Sequence, residues 1–211
     1  MPQAKGILLT NVDPMGYHAL PENSERLAEH LRTEADIEIA VTDELERLAD
    51  PALRELDFVL NNTFRVELTP EQEAGLLAFV EAGGGFLGLH TATITFAPNF
   101  GYHFMIGGRF KGHGPFREFL VEVRDDAHPI TRGMADFRIE DELYVCARDP
   151  HMRVLATAAE HGVDEPIVWV RDYGAGRVVY NALGHDVRAY TNPHFLELTR
   201  RAALWVAGRL D

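Results

Sequence analysis

The sequence predicts a single α/β domain, with a parallel core sheet and an antiparallel extension. Two observations carry this. In the first half, short apolar runs alternate with helical patterns, as in strands joined by crossover helices. After residue 110 the pattern changes to short strands with little helix between them. No repeat, low-complexity tract or Gly/Ser linker divides the 211 residues, a length that suits one unit with a sizeable core.

"GILLT" (6–10) reads as the first strand, followed by a loop containing "MGYH" and a helix from about Asn23 to Arg32. "IEIAV" (37–41) and "DFVLNNT" (57–63) read as the next two strands, the second with a polar end. The next helix has clear boundary signals. Thr69 is an N-cap, Pro70 takes the first helical position, and Gln72 is placed to close a capping box. Ala74, Leu77, Phe79 and Val80 give it an apolar side, and Gly83-Gly84-Gly85 ends it. Strand "FLGL" follows at once. Further on, "REFLVEVR", "LYVCAR", "RVLATAA", "PIVWVRDY" and "RVVYNALG" read as strands, with "DYGAG" as a hairpin turn. A closing helix starts at Asn192-Pro193 and ends near Gly208, with Phe195, Ala202 and Val206 on its buried side and Trp205 alongside.

Composition narrows the function classes. Hydrophobic residues make up 46% and charged residues 25%, ordinary for a globular protein. A net charge of -13 argues against nucleic acid or an anionic membrane as partner, since either needs a basic patch. Cys146 is the one cysteine, so no intrachain disulfide forms, and mid-strand it reads as a small buried apolar residue. The start "MPQAKGILLT" lacks a charged-then-apolar signal segment, and no apolar run approaches the ~20 residues of a membrane span. A soluble cytoplasmic protein is the expectation, with a homodimer as the default assembly.

In an open parallel sheet, ligands bind beyond the carboxyl ends of the strands. Polar residues that follow the predicted strands are therefore the site candidates. Tyr17 and His18 follow the first strand, Asn61, Asn62 and Thr63 the third, and His90 and Thr91 the fourth. His185 and Asp186 follow "VVYNALG". Glu142 lies at the start of "LYVCAR" rather than its end, and His113 sits in the Gly-rich "FKGHGPF". His30, His128, His151, His161 and His194 read as surface residues, while for His103 core packing competes with a site role. Trp169 and Trp205 read as core or interface.

A set of imidazoles with one carboxylate suits two kinds of chemistry. Histidine exchanges protons near neutral pH, and imidazole nitrogens with a carboxylate oxygen also bind zinc or a similar divalent metal. His90, Glu142 and His185 are therefore candidate acid/base residues, and the same three with His18 are candidate metal ligands. Asn61, Asn62, Thr91, His113, Asp186 and His18 are candidates for binding a substrate's polar groups. The spacing is long-range, with no HxH or HExxH pair, so the two roles stay open.

"GGGFLGLHTAT", "GGRFKGHG", "HPITRGM", "DELY", "YGAGRVVYNALGHD" and "NPHFLELTRRAALWVAG" occur in an order that resembles the ThuA-like (trehalose utilisation) family across nearly the whole chain. The resemblance implies a fold like class I glutamine amidotransferases, a flavodoxin-like three-layer α/β/α sandwich. In those enzymes the turn after the fourth strand carries a nucleophilic cysteine; here it carries His90. Glutamine hydrolysis through a thioester is thus excluded, because imidazole does not replace a thiolate in that role. The resemblance implies a role in using disaccharides such as trehalose, and by extension 3-keto-sugars. A small-molecule sugar is the expected partner. The rival expectations are a sugar-binding or regulatory module without catalysis, and a metal-dependent hydrolase of other substrates.

Overall fold

The computed structural model describes residues 3–211. Its strands are β1 (Ala4–Thr10), β2 (Ile37–Thr42), β3 (Phe58–Asn62), β4 (Gly85–Leu89), β5 (Gly108–His113), β6 (Arg117–Val123), β7 (Phe137–Asp141), β8 (Tyr144–Arg148), β9 (Arg153–Glu160), β10 (Val163–Tyr173) and β11 (Gly176–Asn181). Its helices are α1 (Leu20–Ala35), α2 (Pro70–Glu81), α3 (Phe100–Ile106) and α4 (Pro193–Val206). Nine strands form one sheet in the order β2-β1-β3-β4-β11-β10-β9-β6-β7. The first five are parallel. The remainder join antiparallel. "RVVYNALG", grouped with the later strands by its position, is in fact the fifth parallel strand beside β4. The DYGAG turn reverses the chain into it from β10. β5 and β8 pair only with each other, as a separate antiparallel ribbon.

Adjacent residues on a strand point to opposite faces, and here they meet different helices. Asn61 bonds to Tyr102 on α3, while Asn62 bonds to Ser24 on α1. Trp169 bonds to Ile106 on α3, whereas Asn181 reaches Thr199 on α4. α1 packs beside α4, and α2 beside α3. The result is the three-layer sandwich.

The helix boundaries follow the expected chemistry. Both halves of the Thr69/Gln72 capping box form, and Pro70 opens α2. Its covered face is Gln72, Leu76, Phe79 and Val80, while Ala74 is exposed and Leu77 half-covered, so the face is rotated from the one expected. Asn192 caps α4 through bonds from the His194 and Phe195 N–H groups, and Phe195, Ala202, Trp205 and Val206 are buried as expected. Trp169 is buried in the core. No helix among the described residues is long and apolar enough to cross a membrane.

This topology positions the site. β1, β3, β4 and β11 run in one direction, so the residues after them gather along one edge of the sheet. The chain leaves β1 outward to β2 and returns to β3 on the other side, the switch point where such sheets bind ligands. β5 packs against the turn after β4, which brings the ribbon over that edge.

Candidate metal centre

His90 follows β4 at φ 35°, a left-handed backbone unusual for a residue with a side chain. Gly88 makes room for the turn: a Cβ there would stand 2.7 Å from Ile106 and 2.9 Å from Ala92. The His90 ring is 0% exposed, and its Nδ1–H donates to the Ala182 carbonyl at 2.7 Å. Because a carbonyl only accepts, Nδ1 carries the proton and Nε2 a lone pair. Nε2 has no hydrogen-bond partner and lies 3.6 Å from Glu142 Oε2. Tyr144 covers the ring at 3.9 Å.

His18 is built the same way. It sits in the loop after β1, where the Asp13 carboxylate accepts its Nδ1–H at 2.9 Å, along with the Met15, Tyr17 and His18 N–H groups. Its Nε2 is buried and unpartnered. A carboxylate or carbonyl that fixes one imidazole nitrogen so that the other offers its lone pair is the usual support of a metal-bound histidine.

His185 follows β11 in a turn that requires Gly184 at φ 126°. Its Nδ1 lies 3.1 Å from Glu142 Oε2 but out of line for a hydrogen bond. Glu142 follows β7 directly. Asp141, fully buried, holds both segments: it accepts the Glu142, Gly184 and His185 N–H groups at 2.8, 2.8 and 3.1 Å. Ligand atoms of His18, His90, Glu142 and His185 all lie within 4.8 Å of one another.

The protonation states of His18, His90 and Glu142 favour a cation, whereas His185 must give up a proton to join them. Burial, then the neighbouring His90, pulls the His18 pKa down to about 4, and burial pulls His90 down as well, so both rings stay neutral at pH 7. Burial alone would raise Glu142, but His185 and His90 outweigh it and hold the carboxyl well below its usual range. Burial opposes charge on His185, yet Glu142 outweighs it and raises that pKa. Burial pushes Asp141 up to about 7 against three backbone N–H bonds that pull it down. The pocket is electron-rich, and its four donors suit zinc or a similar divalent ion.

Beside this cluster a cavity of about 410 Å³ opens to solvent, lined by Tyr17, Phe64, Arg65, Ile94, Phe110 and Tyr144 as well as His18, His113, Glu142 and His185. That volume is within the range of small-molecule sites. His113 ends β5 at the cavity wall, its side chain 40% exposed, with Nδ1–H donating to the Gly114 carbonyl at 2.7 Å. The same Nδ1 lies 3.6 Å from Glu142 Oε1.

Other expected site residues stay away from the cleft. Asn61 and Asn62 are 0% exposed and bond to Tyr102 and Ser24, which ties the sheet to its helices instead of holding hydroxyls. Thr91 is fully buried behind His90. Asp186 bonds Arg188 at 2.6 Å and does not line the cavity. His128, expected at the surface, is buried edge-on against Trp205 at 4.9 Å; His30 is half-buried, and His103 is buried. His151, His161 and His194 are exposed. Cys146 is half-buried beside Thr93, and burial pushes its thiol up to about 11. Asp13 and Asp141 were not anticipated.

A family model described as "Trehalose utilisation" (ThuA) matches residues 8–206. No curated protein matches the chain. Among solved structures, a ThuA-like protein from Parabacteroides merdae ATCC 43184 is similar at 20% identity and TM-score 0.86, covering 99% of this chain and 92% of its own. Another, from Bacteroides uniformis ATCC 8492, is 20% identical with TM-score 0.83, covering 97% and 91%. A cold-adapted beta-galactosidase from Rahnella sp. R3 is 17% identical with TM-score 0.69 over 98% of this chain but 30% of that one. These likenesses show a shared fold.

Proposed function

The chain belongs to the ThuA family, and from that premise we propose that it acts on a sugar by acid–base chemistry at a divalent metal held by His18, His90, Glu142 and His185. One observation carries the reading. Two buried imidazoles have their protons fixed on Nδ1 by Ala182 and Asp13, so unpartnered Nε2 lone pairs stand beside an ionised carboxylate. Lone pairs gathered beside a negative charge in a low-dielectric pocket repel one another unless positive charge lies among them, and a divalent ion in place of the His185 proton supplies it to all four donors.

A bound divalent ion supplies positive charge that polarises a sugar carbonyl or hydroxyl. The protein supplies the rest. Tyr144, Phe64 and Phe110 give the cleft an apolar wall for the C–H face of a sugar ring and keep bulk water from the donors. His113, outside the ligand set, lines the cavity with its Nδ1 3.6 Å from Glu142 Oε1, and in this reading it is the base. A 3-keto-sugar fits this arrangement because the C–H beside its carbonyl is acidified, and His113 takes that proton. Glu142 and His185 stay with the metal. Amidotransferase chemistry has no support here, since His90 holds the nucleophile's place and Cys146 lies in β8 with a raised pKa.

The test is turnover of a panel of 3-keto-glycosides by metal-loaded protein. The expected result is activity in wild type and a loss of about 10²–10⁴-fold in His113→Gln. Sugar binding without turnover in wild type would replace the enzyme with a binding module.

A further inference from the structure

At the mouth of the cleft the chain holds an arginine in a conformation that side chains other than Asn and Asp avoid: Arg65 has φ 52°. Its neighbours impose this. The Asn11 side chain brackets Phe64, accepting its N–H at 2.7 Å and donating to its carbonyl at 3.1 Å. On the other side, the Val66 N–H donates to Thr95 Oγ1 at 3.3 Å, and the Val66 carbonyl accepts the Phe96 N–H at 2.8 Å. Backbone strain fixed from both sides is characteristic of ligand-binding positions.

The guanidinium lies over the Phe64 ring at 5.1 Å, and Phe64 rests against His18 at 4.8 Å. It lines the same cavity as His113, Glu142 and His185. Many of the other arginines have carboxylate partners, among them Arg153 with Asp125, Arg171 with Asp149, Arg188 with Asp186 and Arg200 with Glu197. Among the described residues Arg65 has a π-face beneath it and no carboxylate partner, although the chain carries 33 acidic residues against 20 basic ones; Arg109, over Phe100, is likewise unpaired, but of the two Arg65 is the one that lines this cavity. A planar, permanently charged fork without a partner suits an oxyanion.

We infer that Arg65 anchors an oxyanion of the substrate, so that the cleft selects a sugar bearing a carboxylate or a phosphate over a neutral one. The inference rests on the reading of this cleft as a carbohydrate site. It adds the substrate's charge, which neither the ligand set nor the family supplies. Arg65 positions the sugar and takes no part in proton transfer.

The experiment is calorimetric titration of zinc-loaded protein with glucuronate, glucose 6-phosphate and glucose. At least one charged probe is expected to bind about 10-fold or more tightly than glucose, and which one does so distinguishes a sugar acid from a sugar phosphate. Arg65→Gln and Arg65→Gly are expected to lose that margin while keeping the zinc stoichiometry of wild type. Arg65→Gly also relieves the left-handed backbone and should raise Tm by about 2–4 °C, which separates lost binding from lost folding. Equal binding of charged and neutral sugars, no binding of either charged probe, or a preference that persists in Arg65→Gly overturns the anchor. A wild type that takes up no zinc overturns the metal reading instead, and the same titrations on that protein still decide the role of Arg65.

Discussion

Asp13→Asn keeps the shape of the side chain while removing its charge and one acceptor. Oδ2 accepts the Tyr17 N–H at 3.0 Å, the His18 N–H at 2.9 Å and His18 Nδ1–H at 2.9 Å, while Oδ1 accepts the Met15 N–H at 2.7 Å. If the amide oxygen takes the Oδ2 place, its NH₂ opposes the Met15 N–H; in the other orientation it opposes three donors. At least one donor is left without its partner, at a cost of about 1–3 kcal/mol, and each kcal/mol lowers Tm by about 2–4 °C for a chain of this size. The Asp13 pKa is lowered because the Met15 and His18 bonds outweigh burial, so the group replaced is a carboxylate at pH 7. Losing that charge also weakens the grip on His18 Nδ1–H, and removal of such a support costs about 10–100-fold in metal affinity. Zinc competition against a chelator reads the affinity, and thermal denaturation of the metal-free protein reads the stability. In a His18→Ala background the same substitution should leave zinc affinity unchanged, because the ring it positions is gone. Zinc affinity within about twofold of wild type in Asp13→Asn alone would refute the reasoning.

Two further expectations concern stability. His128 accepts the Ile130 N–H on Nδ1 at 3.2 Å, and burial followed by Arg153 pulls its pKa down from 6.5 to about 4. The unfolded chain therefore takes up this proton at higher pH than the folded one, so stability is full above about 6.5 and falls by up to about 3 kcal/mol toward pH 4. His128→Gln should flatten that limb of the denaturation profile, and an unchanged slope would count against it. Gly75→Ala in the middle of α2 would ordinarily stabilise a helix by about 1 kcal/mol. Here the new Cβ meets the Leu48 backbone carbonyl, so Tm should fall by several degrees, with about 1–3 kcal/mol lost; a rise in Tm would contradict the packing.

The four proposed ligands were legible because three of them follow parallel strands, and a parallel sheet puts such residues on one edge whatever the rest of the chain does. Glu142 was harder to place: it follows β7, in the antiparallel extension, and reaches the edge because Asp141 bonds the loop carrying His185. Asp141 itself binds only backbone N–H groups, which leave no mark in sequence. Asp13 left a trace in "NVDPMGYH", where an Asp five residues before a His closes a loop onto its own N–H groups. Asn61 and Asn62 misled for a specific reason: the polar end of β3 resembles a rim, yet both residues lie within the layers, one beneath each face of helices. His128 was read as surface from its polar neighbours, while Trp205, remote in sequence, covers it.

The most direct measurement is the metal content of protein purified without chelator or affinity tag, alongside His90→Ala and His185→Ala. The account predicts one divalent ion per chain in wild type and its loss in both variants, with their folds intact by circular dichroism. Wild type without metal, and with no greater affinity for zinc than His90→Ala, would contradict it.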